Sequence, residues 1–190
     1  MEARLIRDCL VRAVVCASKD ETRPHLNAVR ITTDRYKGKL TVRATNGHLA
    51  LVLNAPVPVD DLPATDVDVM VPADVVQTWI RYLGQRAVKQ EKDVKLDKDA
   101  LRVGQVVLPT EAVNDTPPNV DRVIPTIGQA KGLPDGVIGI DPQYYAVVGV
   151  AFRDLMPRTY TFGVLDPVVF YVDDTKTGLE IKLAVMPFRL

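Results

Sequence analysis

The first part of the chain carries a helical pattern of apolar and polar positions. Residues 4–18 place six apolar side chains on one helical face: Ile6, Cys9, Leu10, Ala13, Cys16 and Ala17. Arg4, Asp8 and Arg12 fall on the opposite face. The Arg-Pro pair at residues 23–24 ends this predicted helix, because proline cannot continue one.

Strand patterns follow this helix and lead into a second one. The predicted strands are 26–32, 40–45, 49–54 and 66–71. Pro72 suits the first turn of the next helix because its missing N–H has no partner there. The inward stripe of that helix is Val75, Val76, Trp79, Ile80 and Leu83. Gly84 is suited to end the helix, and the short strands that follow are 94–96, 101–103 and 106–108.

A third unit repeats the same plan. A strand at 137–140 leads to Asp141 and Pro142, which are typical of a capped helix start. The predicted inner stripe of this helix is Tyr145, Val148, Phe152 and Leu155. Further strands are predicted at 160–165, 168–172 and 179–185, with a hairpin loop at 173–178.

A helix followed by several strands, three times over, predicts an α+β protein with helices on one face of antiparallel sheet. Residues 117–136 are rich in proline and glycine and are the predicted linker between domains. We therefore expect one domain at residues 1–125 and a second at 126–190.

Composition limits the functional classes. The chain has 190 residues, of which 47% are hydrophobic and 25% charged, so it is too apolar for a disordered protein. Lys plus Arg and Asp plus Glu number 24 each, which gives a net charge of zero. A nucleic-acid surface would therefore need local segregation of charge.

The chain has two cysteines and two histidines. Cys9 and Cys16 lie two helical turns apart, too far for a disulfide. With no close ligand pair for His25 and His48, we expect no metal site and no cofactor. The sequence shows no signal peptide and no long apolar run, so a cytoplasmic protein without membrane contact is expected.

Three stretches resemble motifs of the bacterial DNA polymerase III β sliding clamp. Residues 44–50, ATNGHLA, are similar to the clamp pattern A-T-D-G-H-R-L-A. Residues 118–125, PNVDRVIP, resemble the P-D-Y-R-R-V-L-P linker, and residues 185–190, VMPFRL, resemble the terminal V-M-P-M-R-L. Asn46, Leu49 and Val120 depart from the usual aspartate, arginine and aromatic residue.

The resemblance implies a DNA-clamp fold of repeated helix-plus-strands units in a shortened chain. Residues 1–125 resemble a complete middle clamp domain, and residues 137–190 resemble only the second half of the last domain. The clamp's first domain and the first half of its last domain have no counterpart in this sequence.

The resemblance also implies a pocket that binds peptide tails of DNA polymerase and clamp-loader proteins. The matching positions are Leu26, Thr45, Gly47, His48, Leu49, Ala50, Pro118, Arg122, Val123, Tyr144, Val185, Met186, Pro187, Phe188, Arg189 and Leu190. An apolar cleft with flexible methionine suits short hydrophobic peptides. Without the family resemblance, Met186 and Phe188 read as ordinary terminal-strand packing and Gly47 as a turn glycine.

A clamp holds double-stranded DNA without reading its sequence, which requires Arg and Lys on the helices that line its hole. The expected DNA-facing residues are Arg4, Arg7, Arg12, Arg23, His25, Arg81, Arg86 and Arg153. From charge alone, the alternative is a set of ordinary solvated helix faces.

Two other functional classes stay open at this stage. The sequence lacks a phosphate-binding glycine loop, a nucleophile elbow and a histidine-centred triad, which argues against an enzyme. A hydrolase that uses scattered carboxylates is the remaining enzymatic alternative. A clamp-like interaction module or decoy, which binds peptide tails without encircling DNA, is the other.

Counting units gives an expectation about assembly. The resemblance implies rings of twelve helix-plus-strands units, and three units per chain would require four chains. A half-domain exposes an apolar helix side and an open sheet edge. We therefore expect a homodimer in which two half-domains form one shared domain, and two such dimers could close a tetrameric ring.

Overall fold

The computed structural model describes residues 1–85, 88, 91, 93–130, 139–163 and 165–187. The helices are α1 (Ala3–Val14), α2 (Ala73–Leu83) and α3 (Pro142–Phe152). The strands are β1 (Ala28–Asp34), β2 (Lys39–Thr45), β3 (Leu49–Pro56), β4 (Asp68–Pro72), β5 (Val94–Leu96), β6 (Ala100–Val103), β7 (Val106–Pro109), β8 (Arg158–Tyr160), β9 (Val168–Asp174) and β10 (Leu179–Val185).

Among the described residues all strand pairs are antiparallel, and the strands form two sheets. The larger sheet has seven strands in the order β4-β1-β2-β3-β10-β9-β8, and the smaller one has the order β5-β6-β7. The pairing of β3 with β10 places Leu49 opposite Val185 and Leu53 opposite Ile181. One sheet therefore runs across the predicted boundary near residue 125, and the predicted α+β class is confirmed.

Strict alternation along β3 and β10 separates the two faces of the large sheet. Leu49, Leu51 and Leu53 are buried in the main core beneath the helices, together with Ile181 and Leu183. The opposite, outer face carries a small second cluster made of Ala50, Val52, Val120, Phe162, Val169 and Ala184. Two of its members, Val120 and Phe162, come from loops that fold over the sheet, so the outer face is partly covered.

The ends of several elements differ from the prediction. The α-helical part of the first helix ends at Val14, and Cys16 and Ala17 continue it as tighter turns while staying buried. The strand predicted at 160–165 is wrong, because the strand ends at Tyr160 and Phe162 turns into the outer cluster. Of the strand predicted at 137–140, residues 137 and 138 lie outside the described residues, and residues 139 and 140 do not belong to a strand.

The start of α3 is as predicted, but its inward stripe is not. The Asp141 side chain accepts a hydrogen bond from the Gln143 N–H at 2.9 Å, and Pro142 occupies the first turn. Ala151 and Phe152 are buried, whereas Tyr145 is 57% exposed, so its assignment to the inner stripe is wrong. Since α3 contains no charged residue, the sequence period alone could not show which apolar side chains face inward.

Among the described residues, no helix is long and apolar enough to cross a membrane. The same part of the chain has no cluster of three or more His, Cys, Asp or Glu side chains suited to a metal ion.

Candidate functional site

The turn between β2 and β3 is built by its own side chains. The Asn46 side-chain carbonyl accepts hydrogen bonds from the N–H groups of His48 at 2.9 Å and Leu49 at 2.8 Å. The Thr45 hydroxyl accepts from the Gly47 N–H at 3.1 Å. Gly47 has a φ of 92°, a conformation that favours glycine. Asn46 needs only its carbonyl oxygen here, so the departure from aspartate leaves the turn intact.

Distant segments meet at this turn. The Met186 N–H donates to the His48 carbonyl at 2.9 Å, directly after the register that pairs Val185 with Leu49. Two segments about 140 positions apart in the sequence are thereby held side by side at this end of the sheet. The β3–β10 pairing is what places Met186 beside His48.

The predicted linker packs against the same region of the sheet. A short 3-10 turn at Val120–Arg122 lies over β2 and β3, with Val120 only 3% exposed against the outer cluster. The Arg43 guanidinium donates to the Asp121 carboxylate at 3.0 Å and fastens this turn to β2. The linker therefore has a defined position at this point.

These three segments enclose a cleft of about 190 Å³. Its lining is mostly apolar and consists of Leu26, Thr45, Gly47, His48, Leu49, Ala50, Pro118, Asn119, Val120, Val123, Ala184 and Met186. The volume is below the roughly 300–1,000 Å³ typical of small-molecule pockets. It suits one or two inserted apolar side chains, with the rest of the ligand outside.

Nine residues predicted for the pocket line this cleft: Leu26, Thr45, Gly47, His48, Leu49, Ala50, Pro118, Val123 and Met186. The prediction missed Asn119, Val120 and Ala184. Val185 was assigned wrongly, because its side chain is fully buried in the core on the helix side of the sheet. Strand alternation from Val185 would have identified Ala184 as the residue on the cleft side.

The other predicted pocket residues do not line the cleft. Arg122 is exposed on the linker turn, and Tyr144 packs from α3 against the main core. Pro187 follows Met186 without lining the cavity. Phe188, Arg189, and Leu190 lie outside the described residues.

Exposed cations occur on the helical side of the molecule. Arg4 on α1 and Arg81 on α2 are exposed. Arg7 is half-buried, and its Nε lies 3.4 Å from the Ile80 carbonyl oxygen. Arg86 lies outside the described residues.

Arg12 was predicted to face DNA, and its burial contradicts that prediction. It is 3% exposed, and its guanidinium donates to Asp8 at 2.8 Å, to the Ala151 carbonyl at 2.9 Å and to Asp154 at 3.2 Å. Arg12 thus binds the C-terminal end of α3, where a cation is favoured by the helix dipole. Sequence periodicity could not reveal this role, because α3 lies about 140 positions away.

The remaining predicted cations have carboxylate partners. Arg153 donates to Asp8 at 3.1 Å, and Arg23 donates to Asp20 at 2.7 Å. His25 Nδ1 lies 3.1 Å from Asp115. Hydrogen bonds from Thr22 and Arg23 lower the pKa of Asp20 to about 2. These carboxylates offset the positive charges of the side chains with which they pair.

The structure is similar to solved bacterial sliding clamps. The DNA polymerase sliding clamp of Pseudomonas aeruginosa matches with a TM-score of 0.72 at 15% identity, covering 100% of this chain and 65% of that one. The DNA polymerase β subunit of Streptococcus pyogenes gives 0.75 at 14% identity with the same coverage. The DNA polymerase III β subunit of Thermotoga maritima gives 0.73 at 14% identity, again covering 100% and 65%.

No family model and no curated protein matches the sequence. The chain spans 65% of the length of the clamps just named, and the identity to them is low throughout. The structural similarity extends over the whole chain, and it fits the two sheets and the helices on one side. The protein therefore has the fold of the bacterial DNA polymerase III β sliding clamps, in a shorter chain.

Proposed function

We propose that this protein is a sliding-clamp-like, non-enzymatic processivity factor that binds double-stranded DNA and docks peptide tails of replication proteins in the cytoplasm. The observation that carries the proposal is the cleft. On a clamp fold, the β2–β3 turn, the linker and the end of β10 converge on one small apolar cavity. Such a cavity suits the apolar side chains of a short tail.

Residues 1–125 then correspond to a complete clamp domain, and residues 126–190 to a half domain. The helical side, with Arg4, Arg7 and Arg81, is the surface proposed to face DNA. Contacts of this kind go to phosphates, so binding should be independent of sequence and should weaken as salt rises.

A titration with a peptide that carries glutamine followed by apolar residues tests the cleft. Val123→Glu places a charge in the cleft, so we expect at least a tenfold loss of affinity, equivalent to about 1.4 kcal/mol. Val59→Glu is the matched control, because Val59 is 44% exposed and Val123 47%, and Val59 lies outside the cleft. Equal affinities of the two variants would contradict the assignment of the cleft.

A clamp-like interaction module or decoy is the second candidate function. The observation that favours it is the pairing of Arg12, Arg23 and Arg153 with carboxylates. A decoy would bind the peptide but show no salt-dependent binding to duplex DNA. A salt titration of DNA binding therefore separates the two functions.

The proposed role as a sliding-clamp-like processivity factor includes the association of several copies of this chain. No charged residue interrupts α3, and Tyr145, Met156 and Leu165 nearby are 57%, 94% and 64% exposed. Exposed apolar side chains around an uncharged helix favour contact with another protein surface. We propose that the half domains of two chains pack together as one shared domain, and that two dimers close a tetrameric ring.

A further inference from the structure

A second, larger cavity lies on the outer face of the seven-stranded sheet. Its volume is about 510 Å³. Val52, Asn54 and Lys182 belong to its floor, and linker residues 124–128 form one side. We call this cavity the outer groove.

The outer groove is the neighbour of the cleft along the same strands. Ala50 on β3 and Ala184 on β10 line the cleft. The next residues on the same face of these strands, Val52 and Lys182, line the groove. Successive outward positions lie roughly 7 Å apart. The turn at Val120–Arg122 lies over the boundary, with Val120 in the cleft lining and Asp121 in the groove lining.

Cations outnumber carboxylates in the described lining of the groove. The lining contains three cations, which are Lys39, Arg43 and Lys182, and one carboxylate, Asp121. Its net charge is therefore two positive charges. Arg43 is held by Asp121, and Lys182 pairs with Glu180 at 2.8 Å just outside the lining, which leaves an excess of one. Among the described residues the Lys39 ammonium makes no side-chain hydrogen bond or ion pair, because the two carboxylates that feel its charge, Asp34 and Glu180, are paired with Lys37 and Lys182. The excess positive charge of the groove is therefore located at Lys39.

The groove also offers contacts beyond charge. Ile124 and Ile127 stand beside the cations, and the Lys182 ammonium lies 5.7 Å from the centre of the Tyr171 ring. Apolar side chains next to cations match an extended peptide with acidic residues better than a small free anion. The groove volume is more than twice that of the cleft, which is consistent with several peptide residues.

We propose that the outer groove binds an acidic flank of the peptide whose apolar residues occupy the cleft. The inference rests on the proposed function and adds a preference for the partner's charge. Lys39 and Lys182 supply the attraction, while Arg43 holds the linker turn through Asp121. Partner tails with aspartate or glutamate beside the apolar motif are then selected over neutral or basic ones.

The test compares peptides that share one apolar core. Each end is extended in turn with acidic residues, with the corresponding amides, or with lysines. With the wild-type protein we expect the acidic form to bind roughly 3- to 10-fold more tightly than the amide form, at whichever end reaches the groove. Because the charges are partly exposed, this preference should largely disappear at about 1 M salt.

Variants of the groove decide where the preference arises. Lys39→Gln combined with Lys182→Gln should abolish the preference for acid and leave the affinity of the amide peptide unchanged. Lys39→Glu alone should weaken the acidic peptide selectively, and it provides a second readout if the double variant is unstable. The control is Lys95→Glu on β5, which lies in the other sheet and is exposed.

The outcomes distinguish this inference from the proposed function. Equal binding of acidic and amide peptides, or an acid preference that survives in both groove variants, overturns the inference and leaves the cleft assignment standing. Binding of acidic peptides that requires Lys39 but not the apolar core overturns the cleft assignment alone. If no peptide binds in any form, both are wrong.

Discussion

At the scale of single residues, Arg12 shows how a side chain can change role between sequence and structure. On a helical wheel it belongs to the polar face of α1, next to Arg4 and Asp8. In the folded chain it joins α1 to the end of α3 and is almost fully buried. It therefore links the first part of the chain to the last, and it is removed from the set of cations proposed to face DNA.

Replacing Arg12 should destabilise the protein. Arg12→Met keeps an apolar stem but leaves the buried Ala151 carbonyl without its donor, at a cost of roughly 1–3 kcal/mol. For a chain of this size that corresponds to a fall in Tm of about 2–4 °C per kcal/mol. Thermal unfolding followed by circular dichroism measures it. Arg4→Met, at an exposed position, should change Tm little, and similar shifts for the two variants would contradict the role of Arg12.

The cysteines should make stability depend on alkaline pH. Burial raises the pKa of Cys9 and of Cys16 from 9.0 to about 12. Well below pH 9 both thiols are protonated in the folded and unfolded states, so they contribute no pH dependence there. As pH rises above 9, only the unfolded state loses these protons, and the free energy of unfolding falls.

The expected slope is up to about 1.4 kcal/mol per pH unit for each thiol. Urea unfolding measured between about pH 8 and 10 gives the free energy of unfolding at each pH. This free energy should fall more steeply with rising pH in the wild type than in the double variant Cys9→Ala, Cys16→Ala. Parallel pH profiles for the two proteins would show that the thiols are not buried as described.

Among the secondary-structure elements, the β2–β3 turn is held by hydrogen bonds from its own side chains and also lines the cleft. Its hydrogen bonds come from Thr45 and Asn46, and the positive φ falls on Gly47. All three are visible in the sequence as a turn between two strand patterns. Their position beside Met186 depends on the pairing of β3 with β10, which local sequence does not encode.

Asn46→Ala removes one acceptor that serves two backbone N–H groups. By analogy with helix caps, we expect a loss of stability of about 1 kcal/mol and a weaker peptide affinity, because the Gly47–His48 wall loses its support. Asn46→Asp keeps the acceptor and should retain both properties. Chemical unfolding and peptide titration measure the two effects, and an alanine variant that matches the wild type would contradict this account.

For the molecule as a whole, the proposed half domain at residues 126–190 is the part expected to pack against another chain. Residues 139–187 contribute α3 and three strands to the large sheet, but α3 keeps exposed apolar residues around it. β8 is an edge strand of the large sheet, and β7 is an edge of the small one. Edge strands and exposed apolar side chains together favour association with further chains.

Static light scattering over a concentration series tests the assembly. We expect a dimer that associates to a tetramer as concentration rises, and we expect Tyr145→Glu with Met156→Glu to yield a monomer. The matched control is Tyr36→Glu, because Tyr36 is 95% exposed and lies away from α3. A wild-type protein that stays monomeric would refute the shared domain, and a dimer that never associates further would refute the ring.

The elements that depend only on neighbours in the chain could be predicted from the sequence. Strands such as Leu179–Val185, the cap of α3 by Asp141, and the turn at Gly47 follow from periodicity, capping and backbone preference. The motif resemblance added nine residues of the cleft, because motifs keep the order of segments that meet in the fold. The helix-plus-strands repeat also predicted the α+β class.

Which elements share a surface became clear only from the folded chain. The pairing of β3 with β10 placed Ala184 rather than Val185 in the cleft, and the packing of α1 against α3 buried Arg12. The outer groove likewise depends on a linker held over the sheet by Asp121. These features come from contacts between residues far apart in the chain, and periodicity within a segment carries no information about its distant partners.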